Sequence, residues 1–401
     1  MLSESEMFNI VTDLVPHWGV KKERENFKLT LPIGKNGYPI HSLIAYAPGD
    51  ELNRWINSLQ QISNEYLDKS STGSFFLDRQ LFETRLVSEW LNINGYNTDW
   101  AKLFDFNRML ENRTYENASI GFHFIYEKGL VGTLSLFDAD IQKYLDVLAE
   151  TNYTYFKVGD NWTYHSYEFI SIDDVNDPGQ ILVPQFLIPY QNRLGKNECG
   201  ITRTKRGDLI IYDKRGLLAS YRKGSWKIYK ATSLKNTLIK ICNNNHWMGT
   251  NLYPILFDLS YRRHGALIII DQKDNYKEFI NNEQSLLNNS KGTPLHQALS
   301  QRLGQIDLKS KDAVSKPLLL ELASIDGAIV FNKKGKLVAF GAMIKSHSNS
   351  NSEQGARSSA ALSAFHYGAL PFKVSSDGEI VCLLDSTLHQ NAQELLKVNF
   401  Y

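Results

Sequence analysis

The chain of 401 residues is long enough for two or three domains, since domains usually have about 100 to 200 residues. Its formal net charge of +1, with 42 % hydrophobic and 22 % charged residues, is typical of a globular protein and argues against a whole-chain role on DNA or RNA. The three cysteines, Cys199, Cys242 and Cys382, are too widely separated for a zinc motif or a disulfide framework. This cysteine usage suits a reducing compartment.

No targeting or membrane segment is evident in the sequence. The start, MLSESEMFNIV, is acidic and lacks the basic-then-apolar order of a signal peptide. No apolar run approaches the roughly 18 to 20 residues that a membrane-spanning helix needs. We therefore expect a soluble, cytoplasmic protein without a membrane partner.

The first 200 residues predict a mixed α+β region. Residues 79–95 (RQLFETRLVSEWLNING) have apolar side chains at helical spacing and end at a glycine, as a helix does. Residues 119–137 alternate like strands around a turn, and DDVNDPGQ at 173–180 has turn composition. We assign residues 1–200 to an N-terminal region with a sensor or regulatory role; its ligand is not evident.

Residues 201–235 predict a β-meander that connects this region to the rest of the chain. Apolar and basic residues alternate around Gly207, Gly216 and Gly224, and residues 202–230 contain nine Lys or Arg against two Asp. The alternation predicts a basic sheet face. Such a face could contact nucleic acid, and the alternative is an ordinary solvent-exposed surface.

Residues 236–401 predict a compact α/β domain, since helices and strands alternate. The first part, to about residue 263, is mainly helical with a break at NNNHWMG, and GALIIID at 265–271 is a buried strand. LLLELASIDGAIVF at 318–331 runs from a helix into a strand. A second strand (KLVAFGAMI), a helix (ARSSAALSAFHYG) and a strand–turn–strand unit (ALPFKVSSDGEIVCLLD) follow.

Two glycine-containing segments of this domain have residues suited to binding a phosphorylated ligand. Asp326 lies where a helix gives way to a strand, beside Gly327, and a carboxylate there is a hard oxygen ligand for Mg²⁺ or Mn²⁺. Gly355, Ala356 and Arg357 precede a predicted helix at 358–367, whose N-terminus would bind phosphate. Ser358 and Ser359 could cap that helix or donate to a phosphate oxygen. The polar loop 346–354 between the segments could fold over a ligand.

The order of these segments resembles the nucleotide-binding domain of diadenylate cyclases, the DisA-type (DAC) domain. That family typically has a Gly-Ala-Leu-Ile-Val strand, then Asp-Gly-Ala, then Gly-Thr-Arg-His-Arg-Ala-Ala, then a Val-Ser-Glu strand. The corresponding segments are GALIII (265–270), DGA (326–328), GARSSAA (355–361) and KVSSDGEIVCLL (373–384). Gly355 follows Asp326 by 29 residues, as in the family. The resemblance is confined to the C-terminal domain.

The resemblance implies a metal-dependent condensation of two ATP molecules into cyclic di-AMP, with release of pyrophosphate. Two domains would face each other in a homo-oligomer, each holding one ATP and Mg²⁺ or Mn²⁺. By motif position, Asp326 would bind the metal and help to activate the 3′-hydroxyl, and Arg357 would act in catalysis. The nucleotide-binding positions would be Gly327, Ala328, Gly355, Ala356, Arg357, Ser358, Ser359 and Ser375.

The sequence departs from the family where the phosphates would be held. Thr-Arg-His-Arg reads Ala356-Arg357-Ser358-Ser359 here, so a histidine and an arginine are replaced by serines. Other basic groups, such as Arg262, Arg263 or Lys345, could take over. Two functions remain open: a cyclase making cyclic di-AMP or a related dinucleotide, and a catalytically degenerate module that senses a nucleotide.

Overall fold

The computed structural model of the chain describes residues 2–15, 28–34, 36–41, 50–67, 74–111, 113–115, 118–138, 141–144, 153–170, 182–287, 294–309, 316–350, 355–385 and 395–400. The chain forms two compact units, Met1–Ser233 and Leu234–Tyr401. The predicted turn at 173–180 lies outside the described residues, as do residues 351–354 of the predicted polar loop.

The first unit combines helices with strands that form three sheets among the described residues. Its helices are α1 (Glu4–Leu14), α2 (Asp50–Leu67), α3 (Phe75–Ile93), α4 (Trp100–Glu111) and α5 (Ile188–Arg193). Its strands are β1 (Lys28–Ile33), β2 (Asn36–His41), β3 (Thr114–Tyr115), β4 (Ala118–Ser119), β5 (Phe122–Glu127), β6 (Leu134–Ser135), β7 (Thr154–Gly159), β8 (Thr163–Phe169), β9 (Glu198–Arg203), β10 (Leu209–Asp213), β11 (Gly216–Arg222) and β12 (Ser225–Ile228).

An eight-stranded sheet in the order β12-β11-β10-β9-β5-β7-β8-β6 organises this unit. β5 and β7 are parallel and the other described pairs are antiparallel. The large aromatic side chains Trp55, Trp90, Trp100 and Trp162 are buried in the hydrophobic core of this unit. The strands over 198–228 lie in this sheet, whereas the sequence predicted a separate connecting segment.

The prediction of a basic, solvent-exposed face on this meander is wrong. Every residue of β10 and β11 is buried, and so are the side chains of Arg203 and Arg222. Arg203 Nε donates to Asn107 Oδ1 at 3.0 Å, and its Nη atoms donate to the carbonyls of Leu110 and Ile120. A buried guanidinium requires such partners, because an unpaired one would cost several kcal/mol. Arg203 and Arg222 therefore have partners inside the unit. Five other basic residues of the segment are exposed in the turns that join the strands: Lys205, Arg206, Lys214, Arg215 and Lys223.

The second unit contains the helices α6 (Ala231–Ile241, which begins at the unit boundary), α7 (His246–Arg262), α8 (Tyr276–Phe279), α9 (Pro294–Leu303), α10 (Lys316–Ala323) and α11 (Ala356–His366). Its strands are β13 (Ala266–Ile270), β14 (Ala328–Phe331), β15 (Leu337–Ala342), β16 (Leu370–Val374), β17 (Ile380–Asp385) and β18 (Leu395–Asn399). The predicted helical break at NNNHWMG is confirmed by the gap between α6 and α7.

These six strands form one mixed sheet in the order β15-β14-β13-β16-β17-β18. β13 and β14 run parallel, and each remaining neighbouring pair is antiparallel. β13, at the centre, is buried along its whole length, as its unbroken run of apolar residues predicts. The predicted α/β class is confirmed: a mixed-sheet domain with helices follows an N-terminal α+β region.

Among the helices that the structure describes, none has both the length and the apolar character required to span a lipid bilayer.

Candidate functional site

The predicted site residues converge on one cleft of the second unit. The cleft has a volume of about 660 Å³, and its walls come from the starts of β13 and β14, the end of β15, the first turns of α11 and the end of β16. Its lining includes every predicted site residue: Asp326, Gly327, Ala328, Gly355, Ala356, Arg357, Ser358, Ser359 and Ser375. The structure therefore brings together residues from three separate sequence segments.

The register of the sheet sets the floor of the cleft. Leu267 on β13 pairs with Ala328 on β14 and, on its other side, with Lys373 on β16. Ala328 in turn pairs with Ala342 on β15. All four residues line the cleft, and the two alanines keep the side chains of the floor short. This leaves room for a ligand above the sheet.

The start of β14 approaches the neighbouring strand too closely for a side chain. Gly327 has φ +105°, and a Cβ atom on it would lie 2.5 Å from the carbonyl carbon of Gly341. A residue other than glycine would therefore be strained and would clash with backbone. The glycine fixes the end of the α10–β14 connection and places Asp326 at the cleft, where its side chain is 95 % exposed.

The N-terminus of α11 faces the same cleft. Gly355 is its N-cap residue, with φ +97° and no side-chain capping bond. Ser358 and Ser359 lie within the first turns of the helix, so the prediction that one of them caps it is wrong. The N–H of Ser359 bonds to the carbonyl of Gly355 at 3.0 Å. The first N–H groups of a helix are unpaired within it and carry partial positive charge, which attracts anions.

Arg357 links the two predicted segments. Its Nη2 atom lies 3.7 Å from Oδ1 of Asp326. The guanidinium also covers Gly265, the residue before β13, since a Cβ there would lie 2.5 Å from Nη1 of Arg357. Gly265 thus provides the space in which the arginine lies. With 44 % of its side chain exposed, Arg357 remains accessible from the cleft.

Ser375 occupies a tight turn at the end of β16. Its Oγ accepts a hydrogen bond from the N–H of Glu379 at 3.0 Å, and its own N–H donates to the carbonyl of Glu379 at 2.9 Å. Because the hydroxyl oxygen serves as the acceptor, the hydroxyl hydrogen can be donated to a ligand.

Sequence reasoning missed one charged residue of the cleft. Lys373 lies on β16 beside Leu267, and its Nζ donates to Ser358 Oγ at 3.1 Å. The only local signal is a single lysine within the otherwise apolar segment LPFKV. The basic residues considered as replacements, Arg262, Arg263 and Lys345, do not line the cleft.

Two histidines close to these segments in the sequence, His264 and His366, also lie outside the cleft lining. His264 follows α7, and His366, at the end of α11, stacks on His347 with ring centroids 4.9 Å apart. The backbone N–H of His347 donates to Ser363 Oγ at 3.2 Å, so this pair supports the wall formed by α11 from outside the cleft.

The described cleft lining contains one carboxylate, which could hold a metal ion only if a bound ligand supplied further oxygen atoms. In the part of the chain that the structure describes, no group of three or more His, Cys, Asp or Glu side chains is arranged to hold a metal. Asp326 is the single acidic residue among the cleft-lining side chains that are described. Mg²⁺ is commonly held by one or two carboxylates together with water and substrate phosphates, and Asp326 fits that arrangement.

Comparison with known proteins identifies the segment that contains this cleft. Residues 256–387 match the family described as DAC, DisA bacterial checkpoint controller nucleotide-binding. These residues form a DAC domain. The resemblance predicted from the sequence motifs is confirmed, and the DAC domain includes the complete cleft lining.

Two solved structures are similar to part of the chain. A hypothetical membrane spanning protein from Bacillus cereus has 18 % identity and a TM-score of 0.27, and the match covers 42 % of this chain and 74 % of that one. A double mutant of DacA from Staphylococcus aureus has 16 % identity and a TM-score of 0.25, covering 39 % and 88 %. At these scores neither similarity supports a further conclusion. No curated protein matches the sequence.

Proposed function

We propose that the chain is a nucleotidyl cyclase that condenses two ATP molecules into cyclic di-AMP or a related cyclic dinucleotide. One observation carries the proposal: within the DAC domain, Asp326 and Arg357 lie 3.7 Å apart at a cleft of about 660 Å³. A cleft of this size accommodates a ligand of nucleoside triphosphate dimensions.

Each part of the cleft would contact a different part of the nucleotide. Arg357 and the N-terminal N–H groups of α11 would bind the phosphates, since both are positive and accessible. The hydroxyl of Ser375 would donate to the nucleotide, and the small floor residues Gly327 and Ala328 would allow its close approach. These contacts would align the reacting groups, which is the main source of rate enhancement in phosphoryl transfer.

Asp326 would hold Mg²⁺ or Mn²⁺ together with the phosphates and would help to activate the 3′-hydroxyl. The metal ion would supply neutralisation of the charge that develops on the phosphate oxygens. The 3′-hydroxyl of one ATP would attack the α-phosphate of the other, a P–O bond would form, and pyrophosphate would leave. The 3′-hydroxyl of the second nucleotide would then lose its proton and attack the α-phosphate of the first, which would close the ring and release a second pyrophosphate.

This chemistry requires two cleft-bearing domains to face each other, because each domain holds one ATP. We therefore propose a homo-oligomer as the active form. Residues 1–233, which form a separate compact unit, would regulate the reaction.

The alternative function is nucleotide sensing without turnover. It is favoured by Ser358 and Ser359, which stand where the family has a histidine and an arginine. Losing charge-assisted contacts to a transition state can cost about 2 to 4 kcal/mol for each contact. A site that keeps Arg357 but lacks these groups could bind a nucleotide without converting it.

Mass spectrometry of reaction products tests the proposal and separates the two functions. The full chain is incubated with mixed nucleoside triphosphates and Mn²⁺, beside Asp326→Asn. The cyclase function predicts a cyclic dinucleotide that disappears in the variant, and the mass identifies the base. Nucleotide binding without any product would support the sensing function, and the absence of both would reject the proposal.

A further inference from the structure

Lys373 lies at one end of the row of residues that forms the floor of the cleft. Leu267 pairs with Lys373 on one side and with Ala328 on the other, so the three residues form a row across neighbouring strands. All three line the cleft. Side chains in register on adjacent strands point to the same face of a sheet. The side chain of Lys373 therefore points from the sheet to the same face as that of Leu267, into the cleft.

The ammonium group of Lys373 is held at the first turn of α11. Nζ donates to Ser358 Oγ at 3.1 Å, and Ser358 is the third residue of that helix. A lysine ammonium has three N–H donors, and this bond uses one of them. Among the described carboxylates, none lies within 4.0 Å of Lys373 Nζ as an ion-pair partner. The ammonium can therefore donate to an anion in the cleft.

The charge of the cleft favours a polyphosphate. Its charged lining residues are Asp326, Arg357 and Lys373, to which the positive end of the α11 dipole is added. Asp326 and Arg357 offset each other at 3.7 Å, so Lys373 supplies the net positive charge. It lies beside Ser358, one of the two positions at which the family's basic side chains are absent.

We propose that Lys373 binds the phosphates of the ligand and replaces the basic groups missing from α11, and that Ser358 is the residue that positions it. This inference rests on the proposed function, in which a nucleoside triphosphate occupies the cleft. It assigns phosphate recognition to a strand residue on the cleft floor instead of to the helix alone.

Isothermal titration calorimetry of the full chain with Mg²⁺ tests the assignment. The ligands are ATP, adenosine and inorganic pyrophosphate, and the proteins are wild type, Lys373→Met, Lys373→Arg and Lys334→Met. Lys334 is a matched control because it is an exposed lysine in the β14–β15 turn of the same domain. A lost charge-assisted bond to phosphate lowers affinity roughly tenfold to a hundredfold.

Lys373→Met is expected to bind ATP and pyrophosphate roughly tenfold to a hundredfold more weakly than wild type, with no change in its affinity for adenosine. Lys373→Arg should retain most of it, and Lys334→Met should match wild type. Equal ATP and pyrophosphate affinity in Lys373→Met and wild type would overturn the assignment. Thermal melts of each variant show whether a loss of binding reflects unfolding, and the charge-retaining Lys373→Arg gives a second comparison.

The ligand series separates this inference from the proposed function. If wild type binds pyrophosphate but not ATP, and Lys373→Met loses pyrophosphate, the phosphate role holds and the nucleotide function fails. If wild type binds neither, both are rejected. Ser358→Ala should weaken ATP binding less than Lys373→Met does, and Ser358→Thr, which keeps the hydroxyl, should bind ATP like wild type. In the Lys373→Met background, Ser358→Ala should have no effect on ATP affinity. If Ser358→Ala weakens ATP binding as much in the Lys373→Met background as in wild type, the proposal that Ser358 positions Lys373 is rejected.

Discussion

The guanidinium of Arg357, at the start of α11, lies 3.7 Å from the carboxylate of Asp326, which precedes β14. The sequence separates these residues by two strands and a polar segment, and the fold returns them to one cleft. Both side chains are exposed, so the pair itself contributes little to stability. The pair matters for ligand binding, because a phosphate would compete with Asp326 for Arg357 and a metal ion would compete with Arg357 for Asp326. A metal–nucleotide complex would therefore give both side chains a new partner of opposite charge.

Asp326→Asn should remove the metal dependence of ATP binding. An amide is a weaker ligand for a hard cation and carries no charge, so added Mn²⁺ should raise the ATP affinity of wild type but not of the variant. Calorimetric titration with and without Mn²⁺ measures this difference. Glu321→Gln is the control, because Glu321 is exposed on α10 and pairs with Arg262 at 3.3 Å, outside the cleft. Equal Mn²⁺ dependence in Asp326→Asn and wild type would contradict the metal assignment.

Gly265→Ala should weaken phosphate binding while leaving the fold intact. The new methyl group would meet the end of the flexible Arg357 side chain, at 2.5 Å from Nη1, and would displace it from its present position. We expect a several-fold loss of ATP affinity, since a displaced arginine loses bidentate geometry, with a nearly unchanged melting temperature. Calorimetry and thermal denaturation measure the two effects.

Gly327→Ala provides the contrasting case at the same cleft. Its methyl group would meet the backbone of Gly341, and alanine is disfavoured at φ +105°. Backbone strain of this kind costs on the order of 1 to 3 kcal/mol, so the melting temperature should fall clearly. If Gly327→Ala and Gly265→Ala have the same melting temperature, the close approach of β14 to β15 does not require a glycine at Gly327.

Removing one partner of the buried Arg222–Asp208 pair should destabilise the first unit. The two side chains are each 2 % exposed and lie 3.3 Å apart. Asp208→Ala leaves a buried guanidinium without its carboxylate, at a cost of about 3 to 5 kcal/mol. The double variant Asp208→Leu, Arg222→Met should lose much less, because neither charge remains. Urea unfolding followed by tryptophan fluorescence measures both, and a double variant as unstable as Asp208→Ala would contradict the explanation.

The stability of the first unit should decrease in mild acid because of His123. Burial lowers the pKa of His123 from 6.5 to about 3, and the ring stacks on Tyr190 while Nδ1 lies 2.9 Å from Thr202 Oγ1. Between these pKa values the unfolded chain binds a proton that the folded chain does not, so stability falls as pH decreases from about 6.5 towards 3.

His123→Phe keeps an aromatic ring for stacking and removes this titration. As the pH falls from 6 to 4, wild type should therefore lose unfolding free energy relative to His123→Phe, by up to about 1.4 kcal/mol for each pH unit. Urea titrations at several pH values measure the slope. Parallel pH profiles for the two proteins would show that His123 is not the titrating group.

The residues that could be predicted from sequence are those with strong local signals. Gly327 and Gly355 have positive φ, and each lies near a candidate site residue, Asp326 or Arg357, that lines the cleft. Short motifs therefore predict the sequence segments that form two walls of the cleft. The strand β13 was equally predictable, because an unbroken apolar run indicates burial on both faces.

The residues that could not be predicted depend on non-local strand pairing. Lys373 enters the cleft because Leu267 pairs with it across the sheet, and no local pattern fixes that register. The sequence predicts surface positions for Arg203 and Arg222, because their partners, Asn107 and Asp208, are brought next to them only by the packing of the elements. Alternation of charge along a strand does not reveal which face is buried.

A crystal structure of the full chain with a non-hydrolysable ATP analogue and Mn²⁺ tests the central claim most directly. The account predicts the triphosphate between Arg357 and the N-terminus of α11, with the anomalous signal of Mn²⁺ next to Asp326. Nucleotide bound elsewhere on the chain, or Mn²⁺ placed away from Asp326, would contradict it.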